Sequence, residues 1–229
     1  MKKPKLAHLG APLVDPRAFI LENLHILPTP AVAEILLYTA HPASGLGKLG
    51  NQDIYGHDHP PYWAYRWAGG TVLARYILDH PAMVAGLHVL DLGAGSGIVG
   101  IAAAKARATA VVCVDTDPYA AIASRMNAAV NAVNIDTICK DILDDDPPEV
   151  DMIAVGDLFY ASDIAGRVVS YLDRCTTAGI KVLIGDPGRE YLPHDRLRIL
   201  SKYSVPDFGN GSVASTDTSA VYLFESKPD

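Results

Sequence analysis

Five aspartates that each follow a stretch typical of a buried strand indicate where this chain could do chemistry. They are Asp91 in "DLGAGSG", Asp115 in "VVCVDTDP", Asp141 in "CKDIL", Asp157 in "GDLFY" and Asp186 in "IGDPGR". Their carboxylates can accept hydrogen bonds from hydroxyl and amino groups of a ligand. Any one of them could instead cap a turn or a helix. Five in equivalent places predict a ligand site.

Strands and helices that alternate along the chain would position these aspartates. The sequence "GLHVLDLGAGSGIVGIAAAKA" predicts a buried strand at about 87–92, a glycine turn and a helix, and "ATAVVCVDTDPYAAIASRMNAAV" repeats this pattern. Further strands are predicted at "DTICKD", "VDMIAVGD" and "GIKVLIGDPG", with a helix at about 162–175. We therefore predict a Rossmann-like α/β fold whose mostly parallel sheet is covered on both faces. Ligands bind such sheets beyond the carboxyl ends of the strands.

The tail completes the predicted sheet. The segments "SKYSVPDF" and "TSAVYLFES" are typical of strands, and the polar loop "GNGSVASTD" between them leaves no room for a long helix. We expect this pair to include an antiparallel last strand and to bring the sheet to seven strands. At 229 residues and 49% hydrophobic, the chain fits one sizeable globular unit. We divide it into an N-terminal helical and loop extension, residues 1–60, and a single domain, residues 61–229.

Composition argues against several classes of partner. The net charge is -7, from 19 Lys and Arg against 26 Asp and Glu, which does not favour nucleic-acid binding. The three cysteines lie far apart and form no CxxC pair, so we expect neither a metal site nor disulfides. No apolar run approaches the roughly 20 residues that cross a membrane, and residues 1–10 lack a signal-peptide core. We expect a cytoplasmic protein without a membrane partner.

The glycine turn after the first of these strands fits a dinucleotide cofactor. Gly95, Gly97 and Gly100 satisfy the GxGxxG pattern. Asp115 follows at close to the spacing of about 20 residues expected for an acid that binds ribose. A dehydrogenase is therefore an alternative.

The same turn also fits a second cofactor. Asp91 precedes Gly93, Gly95 and Gly97, which gives a DxGxGxG pattern. This pattern resembles that of the class I methyltransferases, which use S-adenosylmethionine. That cofactor has no pyrophosphate to place at a helix N-terminus, and it needs bare backbone and an acid near its ammonium group. We favour the methyltransferase.

The resemblance implies a role for each of the first acids. Asp91 would lie near the ammonium group of S-adenosylmethionine, directly or through water. Asp115 would accept hydrogen bonds from both ribose hydroxyls, and Asp141 from the adenine amino group. Asp117 would instead cap the helix that begins at Pro118.

A DNA-methylating site is not supported. Enzymes that methylate exocyclic amines of DNA bases carry an Asp/Asn-Pro-Pro-aromatic tetrad after the fourth strand, where this chain has "DLFY", without prolines. The stretch "DHPPYWAYRWAGG" at 58–70 comes close to the tetrad but has an extra residue and follows a polar loop rather than a strand. We therefore reject a DNA substrate.

Five segments together resemble a protein-lysine methyltransferase family. "PPYWAYRWAGG", "TVLARYIL", "VLDLGAGSG", "GDLFY" and "VLIGDPGR", in this order and spacing, resemble the electron-transfer-flavoprotein β-subunit lysine methyltransferases, from about residue 29 to residue 189. The resemblance implies a seven-stranded class I fold and S-adenosylmethionine as the cofactor. It also implies the flavoprotein β subunit as the protein partner, although another lysine-bearing protein could serve.

Asp157 and Tyr160 would then be catalytic. Asp157 would hold and aim the substrate ammonium, and Tyr160 would orient the same nitrogen through its hydroxyl or ring face. The choice between Asp157 and water as the proton acceptor stays open. Alternatively, Asp157 caps the helix near Ser162 and Tyr160 only packs. "GDPGR" could shape the substrate mouth or form a tight turn in which Asp186 pairs with Arg189.

The tryptophans before the first glycine turn have two interpretations. By resemblance, Trp67 would lie near the methionine end of the cofactor. Pro60, Pro61, Tyr62 and Trp63 could form a stiff aromatic wall beside the methyl group, because aromatic faces favour cations. Alternatively, the two tryptophans anchor the following helix as core residues.

Two further functional classes stay open. A small-molecule N- or O-methyltransferase would use the same fold without a protein acceptor. A non-catalytic module would bind the cofactor or a partner only.

Overall fold

One mixed sheet and a small hairpin organise the part of the chain that the structure describes. The structure is a computed structural model and describes residues 15–46, 61–207 and 218–226. The helices are α1 (Pro16–Asn23), α2 (Ala68–Asp79), α3 (Ile98–Lys105), α4 (Pro118–Val130) and α5 (Ser162–Thr177). The strands are β1 (His25–Thr29), β2 (Val32–Thr39), β3 (His88–Leu92), β4 (Ala110–Asp115), β5 (Asp136–Cys139), β6 (Met152–Gly156), β7 (Lys181–Asp186), β8 (Leu197–Ser204) and β9 (Thr218–Phe224).

The large sheet confirms the predicted topology. Over the described residues it has seven strands in the order β5-β4-β3-β6-β7-β9-β8. The strands β3 to β7 pair in parallel, while β9 runs antiparallel to both β7 and β8. The chain moves outward from β3 to β5 and then returns to β6 beside β3. The carboxyl ends of β3 and β6 therefore flank the point where ligands bind sheets of this type. The polar loop predicted at 209–217 lies outside the described residues.

Helices cover both faces of this sheet. Along β3, Val89 belongs to the buried cluster that includes α2 and α3, whereas Leu90 and Leu92 belong to the cluster that includes α5. The same alternation runs along β6. Successive side chains of a strand point to opposite faces, so a strand covered on both sides needs an uninterrupted apolar sequence. None of the helices in the described ranges is long and apolar enough to span a membrane.

The N-terminal segment differs from the sequence prediction. Residues 1–60 are predicted as a helical and loop extension, but the described part is helical only in α1 and continues as the antiparallel strands β1 and β2. Side-chain amides at the C-terminal end of α4 hold β2. Asn131 accepts from the Leu36 N–H at 3.0 Å and donates to its carbonyl at 2.6 Å, and Asn127 accepts from the Tyr38 N–H at 2.8 Å. These contacts join distant parts of the chain, so the local sequence does not reveal them.

Candidate active site at the carboxyl ends of the strands

The glycine turn after β3 presents bare backbone. Gly93, Gly95 and Gly97 have φ of 68°, 52° and 76°, a region that side chains disfavour. A Cβ at Gly93 would lie 2.5 Å from the Leu158 side chain, and one at Gly97 would lie 2.6 Å from Cβ of Ser124. The three positions predicted from the DxGxGxG pattern therefore form one tight turn that suits a closely packed ligand tail.

Asp91 lies beneath this turn rather than beyond the strand. Its side chain is buried within β3, and Oδ2 accepts a 2.8 Å hydrogen bond from the N–H of Gly100 in α3. Burial raises the pKa of Asp91 to about 7, against the opposing effect of the Gly100 N–H. Asp91 thus ties α3 to β3, and its contact with the cofactor ammonium stays a prediction.

Asp115 lies beside the glycine turn. It is the last residue of β4, and its Oδ2 accepts a 2.8 Å hydrogen bond from the N–H of Gly95. Its Oδ1 accepts from the N–H of Asp117 at 2.9 Å. Asp117 in turn caps α4 by accepting from the N–H of Tyr119 at 2.8 Å, which confirms its predicted role. This arrangement suits an acceptor of ribose hydroxyls.

Asp141 is engaged by a cation that the sequence analysis did not single out. Its Oδ2 lies 2.9 Å from the guanidinium of Arg167 in α5, and its Oδ1 accepts from the N–H of Leu143 at 3.0 Å. Partial burial works to raise the pKa of Asp141, but Arg167 and the Leu143 N–H bring it below its usual value. Asp141 is exposed at the end of β5, and its role toward adenine stays a prediction.

Asp157 is a buried carboxylate with both oxygens hydrogen-bonded. It follows β6 with a left-handed φ of 62°, which costs a non-glycine residue about 1–2 kcal/mol. Its Oδ2 accepts from the N–H of Gly69 at 2.9 Å and its Oδ1 from Nε of Arg189 at 2.6 Å. Backbone strain of this kind is typical of functional sites. The alternative that Asp157 caps α5 is wrong, because that helix has Ala161 at its N-cap without a side-chain bond.

Glycines bring α2 close enough to contact Asp157. A Cβ at Gly69 would lie 2.4 Å from the carbonyl oxygen of Gly185 and 2.7 Å from the backbone nitrogen of Asp157. A Cβ at Gly156 would lie 2.8 Å from Cα of Gly70. The glycines of "WAGG" therefore allow the first turn of α2 to lie directly on the ends of β6 and β7.

The turn after β7 is a tight turn in which Asp186 pairs locally with backbone, as one of the two interpretations above expected. Asp186 does not pair with the guanidinium of Arg189; its Oδ1 accepts from the backbone N–H groups of Gly188 and Arg189, both at 2.7 Å. The side chain of Arg189 extends instead to Asp157 and Asp207. Asp186 is fully buried, and burial raises its pKa to about 7. Its Oδ2 has no hydrogen-bond partner among the described residues.

Exposed aromatic rings lie at the mouth of the site. The rings of Tyr62 and Tyr160 are 5.7 Å apart, and Tyr62 meets Trp67 edge-on at 5.5 Å. Nε1 of Trp67 donates a 2.8 Å hydrogen bond to the Tyr62 carbonyl, and Tyr65 adds a further ring. We call Tyr62, Tyr65, Trp67 and Tyr160 the aromatic cluster. Tyr160 is 47% exposed, so its ring can reach a substrate, and its catalytic role stays a prediction.

The two tryptophans have different environments. Trp63 is buried and stacks on Tyr119 of α4 with ring centroids 6.1 Å apart, so it is a core residue, although it packs on α4 rather than on the helix that follows it. Trp67 is half-buried and belongs to the aromatic cluster. Of the predicted wall, Tyr62 therefore faces outward and Trp63 does not. Pro60 lies outside the described residues.

This chain is similar to methyltransferases in sequence and in fold. The model of the ribosomal protein L11 methyltransferase (PrmA) family matches residues 70–158. The structure of a putative RNA methyltransferase from Pyrococcus horikoshii aligns with a TM-score of 0.55 at 15% identity, covering 77% of this chain and 94% of that one, which supports the fold alone.

Relatives of higher identity cover most of the chain. The electron transfer flavoprotein beta subunit lysine methyltransferase of Danio rerio is 39% identical, with 74% of this chain and 68% of the relative aligned. The human protein of the same name is 34% identical, with 93% of this chain and 84% of the relative aligned. These similarities confirm the resemblance drawn from the motifs and imply catalysis that depends on S-adenosylmethionine. The chain belongs to the electron transfer flavoprotein β-subunit lysine methyltransferase family.

Proposed function

We propose that this chain transfers methyl groups from S-adenosylmethionine to lysine side chains of the electron transfer flavoprotein β subunit. The observation that carries the proposal is the buried Asp157 with its left-handed backbone, followed three residues later by the exposed Tyr160, after β6. The names of the relatives support the acceptor. The human relative of that name aligns with 93% of this chain.

The residues beyond β3 and β4 fit the cofactor. The left-handed backbone of Gly93, Gly95 and Gly97 forms a tight turn that would hold the amino-acid tail, and Asp115 beside Gly95 would accept hydrogen bonds from ribose hydroxyls. In addition, we propose Asp91 for the ammonium, directly or through water, Asp141 for the adenine amino group and Trp67 for the methionine end. The bound cofactor supplies a methyl group activated by a sulfonium.

The acceptor amine must lose a proton before it can react. A lysine with a pKa of about 10.4 exposes its lone pair at pH 7 at a cost of roughly 4–5 kcal/mol. Asp157 would attract and aim the ammonium, and aromatic faces such as that of Tyr160 also favour cations. Partial burial raises the pKa of Tyr160, so its hydroxyl stays protonated and can orient the amine nitrogen. Much of the rate would come from this alignment.

The match to the ribosomal protein L11 methyltransferase family supports S-adenosylmethionine as the cofactor more than it identifies the acceptor. It ends at residue 158, before Tyr160 and the turn that carries Arg189. The net charge of -7 supports a protein acceptor over a nucleic acid. The cytoplasmic location remains a proposal that rests on composition.

Labelling with a methyl-labelled cofactor tests the proposed function. The purified chain is incubated with labelled S-adenosylmethionine and a protein extract, beside Asp157→Asn, Tyr160→Phe and the control Asp195→Asn, which changes an exposed carboxylate outside the site. We expect label on lysines of the flavoprotein β subunit, lost in the first variant, reduced in the second and unchanged in the control. Tyr160 is exposed, so its variant does not endanger folding.

Other outcomes would replace the proposal. Label confined to small molecules would support the small-molecule methyltransferase. Cofactor binding without any labelled product would support the non-catalytic module.

A further inference from the structure

A single guanidinium joins two buried carboxylates behind the aromatic cluster. Nε of Arg189 lies 2.6 Å from Oδ1 of Asp157, and NH1 of Arg189 lies 3.0 Å from Oδ2 of Asp207, in the segment after β8. The side chains of both aspartates are 6% exposed and that of Arg189 is 18% exposed. The guanidinium also lies over the ring of Trp67, 5.9 Å from its centroid. We call this group the Arg189 bridge.

The bridge opposes the effect of burial on Asp157. Burial raises the pKa of Asp157, while the hydrogen bond and charge of Arg189, together with the Gly69 N–H, work to lower it. Burial would lower the pKa of Arg189, but Asp157 and Asp207 raise it above its usual value. Arg189 therefore remains a cation throughout the working pH range.

The formal charges show what a substrate ammonium would meet. Two carboxylates and one guanidinium leave one net negative charge, enough to attract a cation. Without Arg189, no guanidinium would offset the negative charge of Asp157, and the substrate ammonium would interact with the full charge of the carboxylate. An opposite charge within about 4–6 Å favours the charged form of a group by 1–3 pKa units. A lone Asp157 would thus oppose the deprotonation on which transfer depends.

We propose that Arg189 is a positioning residue for methyl transfer: it fixes the orientation of Asp157 and, by sharing its charge, lets the acceptor lysine bind and still release its proton. In that equilibrium the ammonium gives one proton to solvent and no other bond changes. The inference rests on the proposed lysine acceptor and adds a role for Arg189, which acts through Asp157 and not on the reacting atoms.

The elements packed around Asp157 contribute the following groups in the described part of the chain. The turn after β7 contributes Arg189, and β7 ends in Asp186, whose pKa is raised by burial and by the charge of Asp157. The segment after β8 contributes Asp207. The helix α2 contributes a backbone N–H, and β9 contributes Tyr222, whose pKa is raised by burial and by the charge of Asp186. Arg189 is the cation bonded to Asp157 in this set.

The pH dependence of kcat tests the inference, because it reports ionisations in the complex with substrate. We would compare the wild type with Arg189→Gln, Arg189→Lys and the control Arg198→Gln, using the purified flavoprotein β subunit as acceptor. Arg198 is an exposed residue paired with Glu225, outside the site. We expect the rising limb of the kcat profile to move up by about one pH unit or more in Arg189→Gln, to be partly restored in Arg189→Lys and to stay in place in the control.

A further variant tests the sign of the effect. Asp207→Asn removes a negative charge from the bridge, and we expect the rising limb to move to lower pH. The Asp207→Asn variant also tests the inference if Arg189→Gln does not fold. An unchanged limb, with kcat lowered equally at all pH values, would show that the bridge is only structural. A wild type that methylates no lysine would instead overturn the proposed function, so the two failures are distinct.

Discussion

The backbone N–H of Gly69 donates a 2.9 Å hydrogen bond to Oδ2 of Asp157, so the first turn of α2 meets the end of β6 at the candidate catalytic carboxylate. The backbones approach so closely that a Cβ at Gly69 would lie 2.4 Å from the Gly185 carbonyl oxygen. The position of Asp157 therefore depends on the absence of a side chain in a different element.

This contact predicts a strong effect of Gly69→Ala. The added methyl group must displace backbone, and overpacking of this kind costs about 1–3 kcal/mol or more. We expect a lower free energy of unfolding in denaturant titrations and reduced transfer activity. The matched control is Gly166→Ala in α5, where a Cβ meets nothing within 4 Å and where alanine should stabilise the helix by up to ~1 kcal/mol. Equal effects of the two variants would contradict the prediction.

Asp115 should contribute strongly to cofactor affinity. Hydrogen bonds to a charged group are worth about 1.5–3 kcal/mol, so Asp115→Asn should raise the Kd for S-adenosylmethionine by roughly tenfold or more in calorimetric titrations. The control is Asp117→Asn, because asparagine is as good an N-cap as aspartate. A similar affinity in the wild type and in Asp115→Asn would argue against the ribose role.

Trp63 and Tyr62 are adjacent but should behave differently. Trp63 is 2% exposed, and truncation to alanine in a core costs about 3–5 kcal/mol. Tyr62 is 43% exposed, so Tyr62→Ala should change stability by less than ~1 kcal/mol and instead raise the KM for the acceptor. Thermal unfolding and steady-state kinetics separate the two effects. An unaltered KM in Tyr62→Ala would contradict a role of the aromatic cluster in binding the acceptor.

Asp186 should make stability depend on pH. Its pKa is about 7 in the folded chain and about 3.9 when unfolded, so the folded state binds the extra proton between these values. The contribution of Asp186 to stability is present below pH ~4 and is lost as the pH rises through 7. Asp186→Asn keeps an acceptor for the N–H groups of Gly188 and Arg189 but does not ionise.

We therefore expect the free energy of unfolding of Asp186→Asn, relative to that of the wild type, to rise by on the order of 2 kcal/mol when the pH is raised from 5 to 8. Urea titrations at the two pH values measure this difference. A constant difference between variant and wild type would show that Asp186 is ionised at both.

The sequence predicted the sheet and the glycine turn because both depend on local patterns. Apolar strands followed by helices gave the order of elements, and the cap at Asp117 followed from its place before Pro118. The Arg189 bridge could not be predicted, because Asp157, Arg189 and Asp207 come from segments that only the folded sheet brings together. The N-terminal hairpin pairs neighbouring residues, but the side chains of Asn127 and Asn131 that hold β2 come from a distant part of the sequence.

The most direct measurement is the mass of the purified flavoprotein β subunit after incubation with this chain and S-adenosylmethionine, followed by peptide mapping. We predict added methyl groups on lysine nitrogens, with a rate about 10²-fold lower or more in Asp157→Asn, under conditions where cofactor binding shows that the variant is folded. A β subunit of unchanged mass, or equal rates for the wild type and Asp157→Asn, would contradict the account.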